Sequence, residues 1–462
     1  IKFEIYPFIF FKKRKEEKRK MEVVSFIYGI FSNIFMVFLG ILQRLHFTSS
    51  YSFDRDLVMG VFRGMIDSIV ELSREGDEDI YFERPERENK IKIGLLTNEI
   101  PPIVYGGVAT WIVNFIKMFE GNEYFEVYPI FLAHLDDLPE ECLENYKNIR
   151  VIQNDEDIQG VFEDIDVCIN NLWIAEETIT KIKELFPLLK IITVCHSLIR
   201  MENITNMGSC YTNNFNRQET TFMISDYVIL ISKAEEEYYN LLGYSNFDTG
   251  TRVIYNSYTP KYDDMFENDE VDVDYSLNNT GYIGRHVPRK RPELPILAVD
   301  LLKKDDVKVF NMGVDYDKYD NEYWRKLEKD FKDNLVIIPF SSNKKDKEYY
   351  WDNVGVNCIT GIYEPFGYTI CESIDRGIPV VVSNIDGPKE IIEEVKDNVY
   401  IYEVDIDNYN NDIKNISNAL QNVWDTPSDI RKINSREARK CLDKLRPENI
   451  VRHWEKLIYD II

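Results

Sequence analysis

Two kinds of hydrophobic pattern alternate along the chain from residue 91 onward. Short runs rich in β-branched residues predict buried strands, and segments with apolar residues three and four positions apart predict amphipathic helices. The first series of predicted strands is KIGLLT, FEVYPIFLA, VCINNL, KIITVCH, YVILIS and TRVIYN. The helices predicted between them include ATWIVNFIKMF and AEETITKIKELFPLL. Strands that alternate with helices are typical of βαβ units, so the pattern predicts an α/β fold with a parallel sheet.

The alternation stops at residues 257–279, an acidic stretch with little periodicity, which we interpret as an interdomain linker. A second series of predicted strands follows: TGYIGR, VKVFNMG, LVIIPF, GVNCIT, PVVVSN and NVYIYEV. A chain of 462 residues also exceeds one ordinary core. We therefore expect an N-terminal Rossmann-like domain in residues 91–256, a C-terminal one in 280–445 and a C-terminal helix in 446–462.

The first 90 residues follow a different pattern. Residues 1–20 carry eight Lys or Arg and three Glu, and residues 23–42 contain no charge. Twenty uncharged residues are long enough to cross a hydrocarbon core of about 30 Å. We expect either a membrane-associated helix, with residues 12–45 at a membrane surface, or a buried or interfacial helix. The basic and apolar segment is assigned to residues 1–50 and a helical, polar connector to 51–90.

The charge balance restricts the class of partner. The chain has 55 basic and 80 acidic residues, a formal charge of −25, which repels nucleic acid phosphates, so we expect no nucleic acid partner. Any phosphate site must be a local exception. The cysteines are odd in number and scattered, without a CxxC pair, and we interpret them as reduced core residues of a cytosolic protein: Cys142, Cys168, Cys195, Cys210, Cys358, Cys371 and Cys441.

Two loops that follow predicted strands could bind an anion. Gly106 and Gly107 precede a predicted helix, where bare backbone N–H groups favour an anion, although a tight turn without a ligand would use the same residues. The loop GRHVPRKR places four cations, Arg285, Arg289, Lys290 and Arg291, within seven residues. A diphosphate suits such a cluster because a guanidinium binds two oxygens while lysine acts as a point charge. The alternative is a solvated basic loop paired with the acidic surface.

His196 ends the predicted strand KIITVCH, where it could hydrogen-bond a substrate hydroxyl or a reacting centre, although strand-end histidines are more often structural. No spacing of His, Cys and Asp suggests a metal site, so we expect none.

The stretch GIYEPFGYTICESIDRG predicts a loop, a helix that begins near Gly367, and Gly377 as the residue that ends the helix. Glu364 falls on the loop, beside a helix N-terminus suited to phosphate. An acidic side chain at such a turn suits neutral sugar hydroxyls. Glu372 lies in the helix, and Arg376 four residues later offers an ordinary surface pair of about 0.3–0.5 kcal/mol as the alternative.

Taken in order, these motifs resemble the retaining GT-B glycosyltransferases of the glycogen-synthase-like, family 4 type. EPFGYTICESIDRGIPVVVSNIDGPKEII is similar to the Glu-x7-Glu motif of that family with its downstream strand and Gly-Pro turn. GRHVPRK resembles its Gly-Arg-x4-Lys, PPIVYGG its N-terminal glycine loop and TVCHS its strand-end histidine. The resemblance covers residues 91–445 and implies a GT-B fold, in which two Rossmann-like domains face each other across a cleft, here with an N-terminal extension.

The resemblance also implies the reaction: transfer of a hexose from a nucleoside diphosphate sugar to a hydroxyl acceptor, with retention of anomeric configuration. The acceptor would be a glycan, a lipid-linked compound or a small molecule. Arg285 and Lys290 would hold the diphosphate and stabilise the leaving group, without a metal or cofactor. Glu364 and His196 would lie at the reacting sugar. The resemblance assigns the remaining donor contacts to Gly106, Gly107, the backbone of Phe366, Gly367 and Tyr368, and Glu372 at the ribose.

One departure narrows this expectation. Glycogen synthases carry a lysine two residues before the paired glycines, where this chain has Val104, which weakens an α-glucan synthase assignment. Because nucleotide sugars are mainly cytosolic, we expect a cytoplasmic enzyme, held at a membrane if the N-terminal helix enters one. The alternatives are a catalytically silent GT-B sensor or scaffold and a nucleotide-sugar epimerase.

Overall fold

The computed structural model describes residues 89–103, 106–132, 139–146, 148–206, 214–268, 270–304, 306–314, 321–339 and 343–462. All of them belong to one unit of the chain, Ile80–Ile462. The predicted membrane-associated helix and residues 51–88 of the connector lie outside the described residues. No helix in the described ranges is both long and apolar enough to cross a membrane.

The described strands form two separate sheets in which every pairing is parallel. The first sheet has the strand order β3-β2-β1-β4-β5-β6-β7 and the second β10-β9-β8-β11-β12-β13. In the first, the strands are β1 (Ile91–Thr97), β2 (Phe125–Leu132), β3 (Arg150–Ile152), β4 (Val167–Asn170), β5 (Lys190–Cys195), β6 (Tyr227–Leu230) and β7 (Gly250–Val253). In the second, they are β8 (Thr280–Ile283), β9 (Val309–Val314), β10 (Leu335–Pro339), β11 (Val356–Ile359), β12 (Val380–Ser383) and β13 (Tyr400–Tyr402).

All twelve predicted strands are confirmed. β4, β11 and β12 are buried along their whole length, as expected of strands covered by helices on both faces. The prediction missed β3, which has only three residues, RVI, at the edge of the first sheet. So short a strand leaves no periodicity to detect.

Helices separate almost all of these strands. With the first sheet come α1 (Gly107–Met118), α2 (Glu140–Asn145), α3 (Asp157–Phe162), α4 (Glu176–Leu185), α5 (Ile199–Thr205), α6 (Phe215–Ile224), α7 (Lys233–Leu241) and α8 (Asp263–Glu267). With the second come α9 (Leu294–Leu301), α10 (Asn321–Asp330), α11 (Lys344–Asn353), α12 (Tyr368–Asp375), α13 (Asp386–Ile392), α14 (Tyr409–Asp425), α15 (Ser428–Ala438) and α16 (Pro447–Ile461).

The connection between the sheets is anchored to the second one. Residues 257–279, which we interpreted as a linker, contain α8, whose Asp263 forms ion pairs with Arg439 and Arg446. Tyr258 donates a hydrogen bond of 3.0 Å to Asp375 at the end of α12. At least one acidic residue of this stretch, Asp263, is therefore bound to arginines rather than solvated.

The last helix packs against the first. Trp454 of α16 is 1% exposed, and its ring lies edge-on to Phe115 of α1 with the centroids 5.2 Å apart. Trp111 of α1 lies 6.1 Å from the same indole. A helix that ends the chain after the second sheet therefore completes the core beside the first.

The strand order places a topological switch point in each sheet, between β1 and β4 in the first and between β8 and β11 in the second. In open parallel sheets, ligands bind outside the carboxyl ends of the strands at this point. The loops that follow β1, β4, β8 and β11 are therefore where the fold favours a site.

Candidate functional site

Two of the predicted site residues form an ion pair at the carboxyl edge of the second sheet. Lys290 ends a 3-10 turn after β8, Glu364 lies on the loop after β11, and the Lys290 ammonium contacts the Glu364 carboxylate. The two side chains are only 19% and 14% exposed. Burial and the neighbouring guanidinium groups of Arg289 and Arg285 lower the pKa of Lys290. An additional anion near Lys290 would offset the repulsion between its ammonium and these two guanidinium groups.

Arg285 is the exposed cation of this loop. Within the described ranges, its guanidinium has no hydrogen bond and no ion pair. Its charge still acts on Glu99, on the loop after β1: burial raises the pKa of Glu99 and Arg285 partly opposes that shift. Arg285 therefore faces the edge of the first sheet with donors available to a ligand.

The other two cations of the cluster, which were not among the predicted diphosphate contacts, bind groups of the protein itself. Arg289 is 3% exposed and donates to the Tyr363 carbonyl at 2.8 Å and to Glu202 at 2.9 Å. Arg291 forms a buried ion pair with Asp412. Each guanidinium is held by an acceptor from a distant part of the chain, so its charge is already neutralised.

The start of α12 provides a second feature that favours an anion. Gly367 precedes the helix with φ = +105°, a backbone conformation that favours glycine, and no side chain caps the first turn. The first N–H groups of a helix have no intrahelical acceptors and carry the positive end of its dipole. Phe366 is buried, and its ring lies 5.0 Å from that of Tyr368. Phe366, Gly367 and Tyr368 thus present the predicted backbone groups beside Glu364.

Glu372 is half-buried in α12. The alternative interpretation, an ordinary surface ion pair with Arg376, is wrong. The guanidinium of Arg376 lies over the rings of Tyr262 and Trp351, 5.0 and 5.4 Å from their centroids. Within the described part of the chain, the Glu372 carboxylate forms neither an ion pair nor a hydrogen bond. It is therefore available to hydroxyl groups. Gly377 ends the helix as predicted, with φ = +81°.

His196 lies at the carboxyl edge of the first sheet, immediately after β5. Its Nε2 forms a hydrogen bond with Oδ1 of Asn171, which follows β4. Its ring lies edge-on to Trp111, with the centroids 5.1 Å apart. Burial lowers the pKa of His196 to about 3, so the imidazole is neutral near pH 7. A neutral imidazole suits hydrogen bonding to an uncharged sugar hydroxyl.

Gly106 and Gly107 lie where the first domain approaches the second. Both are exposed, and a Cβ atom at Gly107 would lie 3.8 Å from the Tyr368 ring, which follows β11. A Cβ atom at Gly106 would meet nothing within 4 Å. Gly107 therefore lies opposite the start of α12, while nothing in the protein itself requires glycine at position 106.

The sequence interpretation missed Asp386, although it lies in the quoted stretch SNIDGPKEII. Asp386 accepts hydrogen bonds from the N–H of Glu364 at 3.0 Å and from the hydroxyl of Tyr238 on α7 at 2.8 Å. Burial raises its pKa to about 7. Asp386 thus fixes the loop that carries Glu364 and joins it to the first domain. The local signal was an acidic residue at the point where a helix begins after a buried strand.

Two further carboxylates join α7 to the second sheet. Glu235 is fully buried and accepts hydrogen bonds from the Leu198 N–H at 2.8 Å and from the Tyr363 hydroxyl at 2.6 Å. Burial raises the pKa of Glu235 to about 8. Glu390 of α13 accepts from the first N–H groups of α7, at Lys233 and Ala234, and from the Tyr255 hydroxyl. The loops around His196 and Glu364 are thus tied to one helix. No spacing within the sequence pairs these residues.

The arrangement has one half whose groups suit an anion and one half whose groups suit neutral hydroxyls. Arg285, Lys290 and the start of α12 favour an anion, while Glu364, Glu372 and His196 offer hydrogen bonds to neutral hydroxyls. Within the described ranges, no group of three or more His, Cys, Asp or Glu side chains is placed to hold a metal ion.

In comparison with known proteins, the family match falls on the second domain. Residues 272–426 match the family described as "Glycosyl transferases group 1", about a third of the chain. This segment contains Arg285, Lys290, Glu364 and Glu372. A search of curated proteins gave no match.

Solved structures match both domains together. The sucrose-phosphate synthase of Thermosynechococcus elongatus is 17% identical, with 80% of this chain and 99% of that chain covered and a TM-score of 0.59. HepE of Anabaena, solved in complex with UDP and glucose, is 15% identical, with 80% and 100% covered and a TM-score of 0.58. A glycosyltransferase from Rickettsia africae is 16% identical, with 81% and 99% covered and a TM-score of 0.57. At these identities the likeness establishes the fold, and the chain has the GT-B fold.

Proposed function

We propose that this protein is a retaining glycosyltransferase that moves a hexose from a nucleoside diphosphate sugar to a hydroxyl group of a carbohydrate or lipid-linked acceptor. The match of residues 272–426 to a glycosyltransferase family and the shared GT-B fold support glycosyl transfer. The Anabaena protein of the same fold was solved in complex with UDP and glucose, which supports a nucleotide sugar as the donor. We infer the finer assignment from the residues at the edges of the two sheets.

The observation that carries the proposal is the cation cluster at the switch point of the second sheet. Arg285 is exposed with donors available, and Lys290 is partly buried against Glu364. The uncapped start of α12 follows Glu364 by a few residues. A guanidinium, an ammonium and a helix N-terminus on two adjacent loops are the groups that bind a diphosphate.

The same groups would favour bond cleavage. When the bond between the anomeric carbon and the diphosphate breaks, negative charge develops on the leaving oxygen. Fixed donors in a partly buried site stabilise that charge more than water does. Arg285 and Lys290 would therefore act in the transition state as well as in binding. Because the protein supplies these charges itself, we propose that the reaction needs no metal.

Glu364 would have a second role once the donor is bound. In the structure its carboxylate neutralises Lys290. A diphosphate at Lys290 would take over this neutralisation and leave the Glu364 carboxylate to accept hydrogen bonds from the sugar. Glu372, half-buried and without an ion pair to Arg376, would accept hydrogen bonds from the ribose hydroxyls. His196 and Gly107 would contact the donor from the first domain.

The first sheet would bind the acceptor, because its carboxyl edge faces the donor loops at Gly107 and Tyr368. We also propose a cytoplasmic location, since nucleotide sugars are made and kept mainly in the cytosol.

The first test is a thermal-shift screen of the full chain with UDP-, GDP- and ADP-sugars. We expect one nucleotide class to raise the melting temperature, because a ligand that binds only the folded state stabilises it. The reaction with that donor, followed by NMR of the product, would show the anomeric configuration. Release of nucleoside diphosphate with an inverted product would refute retention. An isomerised sugar nucleotide formed without any acceptor would indicate an epimerase, and binding without turnover a sensor.

Two variants test the site. Arg285→Ala and Lys290→Ala are each expected to lower kcat/KM by about 100-fold or more, since removal of one transition-state donor typically costs about 3–4 kcal/mol. Arg217→Ala and Lys183→Ala are matched controls, because Arg217 is paired with Glu176 and Lys183 with Asp226 elsewhere on the first domain. Full turnover in both site variants, with the controls also active, would refute the assignment of Arg285 and Lys290.

A further inference from the structure

The pair formed by Asn171 and His196 has a feature that the proposed function does not use. Asn171 is 3% exposed and follows β4 at the switch point of the first sheet. Its Oδ1 contacts Nε2 of His196, while its Nδ2 is buried without a hydrogen-bond partner among the described residues. The side chain is therefore held by the backbone position and by the one bond to His196.

That bond determines where the imidazole proton lies. With the Asn171 amide oriented as in the structure, Oδ1 faces the ring and only accepts hydrogen bonds, so Nε2 of His196 carries the hydrogen. The ring is neutral, because burial lowers its pKa to about 3, and a neutral imidazole has one N–H. Nδ1 consequently has a free lone pair. Nδ1 has no hydrogen-bond partner within the described part of the chain, and His196 is only partly buried.

The second domain contains a similar pair of a histidine and an asparagine, but in a different environment. Nε2 of His286, which follows β8, contacts Oδ1 of Asn311 on β9 in the same way. There the histidine is 3% exposed, and the Asn311 amide donates to the Pro292 carbonyl at 2.7 Å. The His286 ring also packs on Trp324, with the centroids 4.4 Å apart. That pair is closed to ligands, whereas His196 is partly open at the carboxyl edge of its sheet.

We propose that Asn171 is a positioning residue that holds His196 in the Nε2-protonated tautomer, so that Nδ1 accepts a hydrogen bond from a hydroxyl of the transferred sugar. This inference rests on the proposed function for the identity of the ligand. It also restricts that ligand, because a lone pair at Nδ1 repels a carboxylate. The site therefore favours a neutral hexose over a uronic acid that presents its carboxylate at the same position.

The tautomer can be measured without any sugar nucleotide. The full chain would be labelled with [15N]histidine, and the ring nitrogens of His196 identified by their loss in His196→Gln. We expect a protonated Nε2 and an unprotonated Nδ1 between pH 6 and 8. Asn171→Leu should shift His196 toward a mixture of tautomers, and Asn311→Leu should change only His286. A protonated Nδ1 in the wild type, or an unchanged tautomer in Asn171→Leu, would overturn the proposal.

Asn171→Asp is the second variant, because its carboxylate still accepts from Nε2 and the change in shape is small. The added negative charge should raise the pKa of His196 toward neutrality and make the ring titrate in the NMR experiment. Calorimetry would use the nucleotide that the thermal-shift screen identifies. The wild type should bind the neutral hexose derivative of that nucleotide at least 10-fold more tightly than the uronic acid derivative, and Asn171→Asp should reduce this affinity ratio below neutral pH. Equal affinity of the wild type for both derivatives would refute the preference for a neutral sugar at Nδ1. A screen in which no sugar nucleotide binds would count against the proposed donor, while the tautomer decides the role of Asn171.

Discussion

Glu235 makes the stability of this protein depend on pH in a way that one substitution should remove. The carboxyl group is fully buried between α7 and the loops that carry His196 and Glu364. Burial raises its pKa from an ordinary 4.5 to about 8. Glu235→Gln keeps an oxygen that accepts from the Leu198 N–H and the Tyr363 hydroxyl, and it removes the titration.

The sign follows from the proton balance. Between pH 4.5 and 8 the unfolded chain has lost the Glu235 proton while the folded protein keeps it, so the free energy of unfolding falls as pH rises. The slope is about 1.4 kcal/mol per pH unit for one such group. From pH 5 to pH 8, the wild type should therefore lose roughly 4 kcal/mol of unfolding free energy relative to Glu235→Gln. Asp386, whose pKa burial raises to about 7, titrates in both proteins, and its charge adds to the rise in the pKa of Glu235.

The assay is urea unfolding of both proteins at pH 5, 6, 7 and 8, followed by tryptophan fluorescence and circular dichroism. The quantity of interest is the difference in unfolding free energy between the two proteins at each pH, because titrating groups that do not interact with Glu235 cancel in it. We expect a difference close to zero at pH 5 and a more stable variant at pH 8. Glu184→Gln, at an exposed position on α4, is the control and should show no such trend. A difference that stays constant across the four pH values would refute the reasoning.

Three further predictions concern packing and loop position. Gly387→Ala should lower kcat/KM roughly 10- to 100-fold, because its Cβ would lie 2.4 Å from the Pro365 carbonyl and displace the donor loop. Gly160→Ala, on α3 with open space at its Cβ, is its control and should be neutral or slightly stabilising. Trp454→Ala should reduce the free energy of unfolding by about 3–5 kcal/mol, measured by urea unfolding, because it empties a buried aromatic site. Glu390→Ala should reduce it by about 2 kcal/mol through loss of a charged cap across the domains.

A different result would contradict each of these predictions. An active Gly387→Ala would show that the loop tolerates displacement. A Trp454→Ala variant as stable as Trp454→Phe would show that α16 contributes little to the core. For Glu390, the exposed Glu393→Ala is the control, and equal stability of the two variants would mean that the cap does not join the domains.

Much of the fold could be read from local pattern. Runs such as VCIN and VVVS begin with three apolar residues and end in a polar one, and both are fully buried strands. Their order along the chain already placed Glu364 and His196 on loops that follow strands. β3 escaped detection because three residues carry no periodicity. For the acidic stretch 257–279, charge composition does not reveal that Asp263 pairs with Arg439 and Arg446.

The roles of individual charges were decided only in three dimensions. Four adjacent cations look alike in sequence, yet Arg289 is neutralised by Glu202, 87 residues earlier, and Arg291 by Asp412, 121 residues later. Arg376 was within reach of Glu372 along the helix, but stacks on aromatic rings from other elements. Partners that lie far away in sequence leave no local pattern.

The amino-acid sequence by itself determined the alternation of strands and helices and the placement of candidate chemistry on post-strand loops, because both depend on the spacing of neighbouring residues. The tertiary structure alone decided which of those residues are free to meet a ligand. Arg285 remains exposed while its neighbours are paired, and His196 meets Asn171 because β4 and β5 lie side by side. Burial and pairing are properties of the packed chain, and they separate a binding residue from a structural one of the same type.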